Sequence, residues 1–247
     1  MTASLVLTIH QTLYNTKTII SDESGLEVAR GVERLQTAYL DGEYVEQDAY
    51  DIYDGAILSV QKCLTAFKEK GGAEEQILSC QITNERATFV IWDEHGKPLH
   101  EAIVSLCQRA RGICNMFVLY GWADIIKQKT GLTMDLKYSA AKVMWLNQSN
   151  RDIRKAIHTG SAFFGTIDTW LLYKFTNGAQ YVTEHSNASQ TMFFNTETRR
   201  WDKELISKFE LDDLNLPEIR DAHSHFGFTD FNGLLRKKIE ITSMTGV

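Results

Sequence analysis

Few residues in this sequence stand at spacings that do chemistry by themselves. His223 and His225, two apart, would point to one side of a strand and could share a metal ion, but a third ligand is not assigned to them. His100-Glu101 has Val104 where a zinc-binding helix would need its second histidine, and Gly96-Lys97 runs into Pro98 without the upstream glycine of a phosphate-binding loop. The G-x-G-x-x-G dinucleotide fingerprint, the G-x-S-x-G elbow and a Cys/His nucleophile pair are all missing. Cys63, Cys80, Cys107 and Cys114 form no C-x-x-C pair and lie in apolar or helical stretches. That pattern predicts buried free thiols in a reducing compartment, neither a disulfide framework nor a zinc site. Any chemistry must therefore be assembled by the fold from dispersed residues.

The elements available to position such residues are those of an ordinary globular chain. Its 247 residues, 43% hydrophobic and 23% charged, fit one large domain or two small ones and can bury a substantial core. A net charge of -6 argues against nucleic acid as a partner, since such binders carry a basic face. The apolar run Leu5 to Ile9 is broken by Thr8 and has no basic residues before it, and nothing approaches the roughly 20 apolar residues of a membrane span. The expectation is a soluble, cytoplasmic chain with no membrane partner. The sequons at Asn147 and Asn187 would then stay unmodified.

Leu5 to Ile9 and Lys17 to Ile20 predict two short strands rich in β-branched residues. A helix follows with Asp48 as its cap, apolar positions Tyr53, Ile57, Val60, Leu64 and Phe67, and a stop at Gly71-Gly72. Strands are expected over Ile77 to Thr83, Thr88 to Trp92 and Ala102 to Val104, with a turn at Gly96-Lys97-Pro98. The stripe Leu106, Ala110, Ile113, Phe117, Gly121 and Ile125 predicts one or two helices closing at Gly131. Shorter helical patterns cover Ala140 to Asn147, Ile153 to His158, Asp168 to Phe175 and Asp202 to Phe209, and strand patterns cover Tyr181 to Thr183 and Thr191 to Phe194. Mixed strands and helices without strict alternation point to a layered α/β domain on a mixed sheet.

Several segments together resemble glycerol kinases of the FGGY carbohydrate-kinase family. The most specific are Ile82-Thr83-Asn84-Glu85-Arg86, Phe164 to Leu171 and Thr183 to Ser189; Tyr44 to Asp48, Glu101 to Val104, Thr130 to Leu132 and Ala141 to Trp145 add to them. They follow the family's order from end to end of the chain. The resemblance covers residues 1–247 as an FGGY-type N-terminal, polyol-binding domain. It implies a ribonuclease-H-like fold of the actin-like ATPase superfamily, a mixed sheet with flanking helices. The family's second, nucleotide-binding domain is expected to be absent.

The same resemblance implies changes at the chemical positions. Where the family carries an aspartate for the magnesium-phosphate end of the site, this chain has His10, followed by Gln11-Thr12-Leu13-Tyr14 in place of a glycine-bearing turn. Thr12 would resist a positive-φ turn there. Arg86 is retained from the polyol pocket, the glutamate after it is Ala87, an aromatic platform is Ser105, and a tyrosine is Lys137. The catalytic base of the family falls at Val247, after Gly246. The resemblance thus implies a kinase-derived protein without catalysis, in a binding or regulatory role. No catalytic residue, no metal and no cofactor are expected, with weak or no glycerol binding, and a homo-oligomer or an unidentified protein as partner. The alternative is an active polyol kinase transferring the γ-phosphate of Mg-ATP to a polyol hydroxyl.

Overall fold

The computed structural model describes residues 4–247. The chain opens with β1 (Leu5–Gln11), β2 (Asn15–Asp22), β3 (Glu27–Arg34), β4 (Ala38–Leu40), β5 (Tyr44–Gln47) and α1 (Ala49–Glu69). Next come β6 (Ile77–Asn84), β7 (Phe89–Asp93), β8 (Ala102–Ile103), α2 (Arg111–Leu119), α3 (Trp122–Thr130), α4 (Ser139–Ser149), α5 (Arg151–His158) and β9 (Ala162–Thr166). The remainder is α6 (Ile167–Phe175), β10 (Val182–Glu184), α7 (His185–Ala188), β11 (Phe194–Asn195), β12 (Arg200–Trp201), α8 (Lys203–Lys208), β13 (Glu218–Arg220), β14 (Phe228–Thr229) and β15 (Ile239–Gly246).

Two sheets organise these elements. The larger has six strands in the order β14-β15-β6-β1-β2-β3. β1, β6 and β15 are parallel, while β2 runs antiparallel to both β1 and β3. Alternation along β1 sends Leu5, Leu7 and Ile9 into the core and leaves Val6, Thr8 and His10 half-buried, as a pleated strand with one packed face requires. α1 lies on that packed face. Asp48 caps it by accepting from the amides of Tyr50 (2.6 Å) and Asp51 (3.2 Å), and Gly72 N–H closes its far end on Phe67 O. Gly31 lets the helix approach β3, since a Cβ there would sit 2.1 Å from Ser59 O.

The second sheet, β4-β5-β8-β7-β9, supports a separate apolar cluster with α2 to α5 and α8. Phe117 of α2 stacks on Phe209 after α8 with centroids 4.5 Å apart. The predicted stripe becomes two helices because Gly121 takes φ +73 between them.

Some expectations need correction. Thr191 to Phe194 is not a strand: only Phe194 enters one, Met192 takes φ +66, and Thr191 Oγ1 accepts from Phe193 N–H. Burial of this apolar turn in the helical cluster gives it the composition of a strand. β3 and β5 carry too much charge, and β4 is too short, to stand out, while Phe164 to Leu171 is buried throughout as the end of β9 followed by α6. The turn at Thr12 contains no positive-φ residue at all.

All four cysteines are buried and free. Burial raises the Cys63 and Cys114 thiols to about 11. Asn147 and Asn187 are both buried, with their amides donating to Glu210 O and to Asn84 Oδ1. His225 has an acidic neighbour, its Nδ1 lying 2.6 Å from Glu240 Oε1, while His223 bridges to Ser243. Among the described residues no group of three or more potential metal ligands converges, and no helix is long and apolar enough to cross a membrane.

Candidate functional site

The carboxyl ends of the three parallel strands meet in one place. His10 pairs with Thr83 and Gln11 with Asn84 across β1 and β6, and Thr83 and Asn84 pair in turn with Thr245 and Gly246 of β15. In open α/β sheets this is where ligands bind, because the chain leaves the sheet there in loops that can be shaped independently of the core. His10, Arg86, Ala87 and Val247 all fall at this edge.

At β1 the histidine is engaged by the protein itself. His10 Nδ1 lies 2.6 Å from Thr83 Oγ1, and burial, followed by the Lys17 ammonium, holds its pKa below the ordinary value. The turn that follows closes on itself. Thr12 Oγ1 donates to Asn15 O and accepts from the amides of Tyr14 and Asn15, so the hydroxyl supplies what a glycine turn would leave to backbone amides. Leu13 is buried; its N–H donates to Glu85 Oε2 at 2.9 Å, and its carbonyl accepts from Gln47 Nε2 at 2.6 Å.

At β6 and β15, Asn84 and Asn187 exchange amide hydrogen bonds of 2.8 and 3.0 Å in a buried pair. Glu184, 1% exposed, accepts from five donors: Ser186 N–H and Oγ, Asn187 N–H and Nδ2, and Gly246 N–H. It both caps α7 and ties the end of β15 to it. Gly246 is needed at that point, because a Cβ would lie 2.5 Å from Arg86 Cγ. Ala87, buried, sits at φ +72, a left-handed conformation that costs an alanine about 1 kcal/mol. Val247 is exposed, held only through its N–H on Asn84 O at 2.9 Å.

A second wall stands beside this edge. Ser105 Oγ donates to Glu85 Oε1 at 3.2 Å, and Ser139 Oγ to Ala87 O at 3.2 Å. Lys142, with 0% of its surface exposed, donates to Val104 O (3.0 Å), Ser105 O (3.4 Å) and Lys137 O (3.0 Å). Burial in this carbonyl cage pulls its pKa down to about 7, with the Arg109 guanidinium acting in the same direction. The Lys137 side chain is exposed, its ammonium 4.9 Å from the Tyr138 ring centroid. Beneath β10, the fully buried Asp168 accepts from Thr166 Oγ1 (2.5 Å) and Thr183 Oγ1 (2.7 Å). Desolvation, and then the Glu184 charge, pushes its pKa up to about 7.

Residues 85, 87, 105, 137 and 139 thus form one connected wall, so the fold brings together the positions singled out in the sequence. Glu85, Lys142, Asp168 and Glu184 lie inside the segments that carry the family resemblance but are not singled out there as site residues. For Lys142 and Asp168 a further signal is an ionisable residue in a largely apolar run, Ala140 to Leu146 and Phe164 to Leu172.

The sheet order, with β2 and β14 antiparallel to the parallel trio β1, β6 and β15 and helices on its flank, defines a ribonuclease-H-like domain of the actin-like ATPase class. The profile of the FGGY family of carbohydrate kinases, N-terminal domain, matches residues 5–236, and the chain belongs to this family. Glycerol kinase 1 of Thermotoga maritima is 36% identical over 242 residues, covering 98% of this chain and 48% of its own length. A glycerol kinase of Shewanella frigidimarina is 33% identical over 98% of this chain. The crystal structure of Plasmodium falciparum glycerol kinase with ADP superposes with a TM-score of 0.91 at 30% identity, covering 99% of this chain and 48% of that one. A Lactobacillus acidophilus gluconate kinase, 18% identical with a TM-score of 0.86, shares the fold. The chain spans about half the length of the curated relatives it matches.

Proposed function

We propose that this domain keeps the fold of a glycerol-kinase-type amino-terminal domain and has given up phosphoryl transfer for a binding or regulatory role. One observation carries the reading: no carboxylate stands at the ends of β1 and β15, where His10 and Val247 are found, and those nearby are already engaged. Phosphoryl transfer depends on positioned charge around the phosphates and on a group that takes the hydroxyl proton. A general base contributes about 10²–10⁴-fold, and valine has no proton acceptor to offer.

The residues present do not fit a magnesium-bound nucleotide phosphate. His10 turns a ring nitrogen to Thr83, and the Leu13 amide is spent on Glu85. The polyol side is altered in the same sense. Arg86 remains, but Ala87, Ser105 and Lys137 supply neither a carboxylate nor an aromatic platform at their positions.

The test is incubation of the chain with radiolabelled ATP, magnesium, and glycerol or a panel of polyols. The expected result is no labelled product above the protein-free control. Magnesium-dependent product from glycerol would overturn the reading in favour of an active polyol kinase.

A further inference from the structure

The turn between β1 and β2 is held from more sides than its length requires. Its flanking strands belong to the first sheet, yet Leu13 is buried in the apolar cluster of the second, with Val45, Phe89 and Ile103. The Leu13 carbonyl accepts from Gln47 Nε2 at 2.6 Å, and its N–H donates to Glu85 Oε2 at 2.9 Å. The other oxygen, Glu85 Oε1, accepts from Ser105 Oγ at 3.2 Å. One half-buried carboxylate beyond the end of β6 therefore bridges the β1–β2 turn to the segment after β8, 72 and 20 residues away in sequence. Glu85 is itself tied down, its N–H donating to Gln11 O (2.9 Å) and its carbonyl accepting from Asn84 Nδ2 (3.1 Å). Ser105 is fixed separately through its own carbonyl, which accepts from Lys142 Nζ at 3.4 Å.

A backbone N–H and a hydroxyl aimed at the two oxygens of one carboxylate make up the donor set of an oxyanion site. Both donors are placed by other contacts, Leu13 by its buried side chain and Gln47, Ser105 by Lys142. They therefore keep their positions without Glu85, and a buried N–H left without an acceptor costs free energy. One small carboxylate can reach both donors, because that of Glu85 already does. We propose that Glu85 is an autoinhibitory contact: its carboxylate fills an oxyanion site formed by Leu13 N–H and Ser105 Oγ and shuts it to external anions. An anion from solvent has to displace a group tethered beside its donors, and so competes against a high effective concentration. The inference rests on the proposed loss of phosphoryl transfer and names a contact that closes the strand-end cleft.

The test is a nuclear magnetic resonance titration of the ¹⁵N-labelled chain and its Glu85→Ala variant with sodium formate, against sodium chloride at equal ionic strength. In the unsubstituted chain the Leu13 amide signal should stay where it is. In Glu85→Ala formate should shift that signal saturably, and chloride should not. Adding Ser105→Ala to Glu85→Ala should weaken formate binding about tenfold. No formate response in Glu85→Ala overturns the proposal. So does an equal response to chloride, a response in the unsubstituted chain, or an affinity indifferent to Ser105→Ala. Should Glu85→Ala not fold, Glu85→Gln carries the test, because it keeps the shape of the side chain and loses its charge. Hydrogen exchange of the Leu13 amide should then speed up about tenfold relative to that of Leu7, and an unchanged ratio overturns the proposal. Labelled product from magnesium-ATP and glycerol would instead overturn the proposed function, whatever formate does, which keeps the two failures distinct.

Discussion

The buried polar layer beneath the strand ends and the strand-end surface above it are a few ångströms apart, yet they obey different rules. Below, Glu184, Asn187, Asp168 and Lys142 are withdrawn from solvent, and each makes two or more hydrogen bonds to the chain. Above, Arg86, Lys137 and Val247 hold almost nothing in place through their side chains. A buried charge is tolerated only when its partners are complete, so the lower layer is fixed by folding. The upper layer is free of that constraint, and two of the positions on which the proposed loss of activity rests, Lys137 and Val247, lie there.

The largest effect that can break this contrast lies at Glu184. Glu184→Ala leaves the Ser186 and Asn187 amides of α7 without their acceptor and should cost about 3 kcal/mol or more in urea-unfolding free energy. Arg86→Ala, in the upper layer, should cost less than about 1 kcal/mol in the same experiment. Equal costs for the two would dissolve the distinction between the layers.

Next come two opposite pH dependences. Asp168 has a folded pKa of about 7 against 3.8 for the free group, so the unfolded chain releases its proton first. Stability should fall as pH rises from about 4 to 7, by at most about 1.4 kcal/mol per pH unit. Lys142 has a folded pKa of about 7 against 10.5, so above pH 7 the unfolded chain holds a proton that the folded one has lost. Its contribution should make stability rise between about pH 7 and 10. Denaturant titrations across this range should therefore show a minimum near neutrality. Asp168→Asn should flatten the acid limb and Lys142→Met the alkaline one, provided each variant stays folded.

A smaller effect sharpens the comparison at Ala87. Its φ of +72 suits glycine, so Ala87→Gly should stabilise the domain by about 0.5–1 kcal/mol, measured by the urea midpoint at constant slope. A loss of stability would mean that the methyl group packs usefully in the wall. Smallest of all, Val247→Ala should change stability by no more than about 0.5 kcal/mol, because its side chain is exposed.

The same two layers explain what was legible in the sequence. β1, α1, β6 and α6 stand out because one face of each repeats an apolar pattern against a single core, and Asp48 and Gly71-Gly72 punctuate α1. β3 and β5 do not, since charged residues such as Glu27, Arg30 and Glu46 interrupt their short alternations, and β4 is only three exposed residues long. The turn at Thr191 to Phe193 deceives in the opposite direction: it is apolar because it is buried, not because it is extended. At the site, His10, Ala87, Ser105, Lys137 and Val247 could be picked out only by comparison with a family pattern. Glu85 and Lys142 could not, because their roles lie in backbone groups far away in sequence, Leu13 N–H and the carbonyls of Val104, Ser105 and Lys137.

The proposed function requires a kinase-like fold that persists without the groups that bind and activate its ligands. Isothermal calorimetry of this chain with glycerol and with magnesium-ATP tests it most directly, with Thermotoga maritima glycerol kinase 1 run beside it as the positive control. The account predicts flat titrations for both ligands. A saturable heat with either one would contradict it.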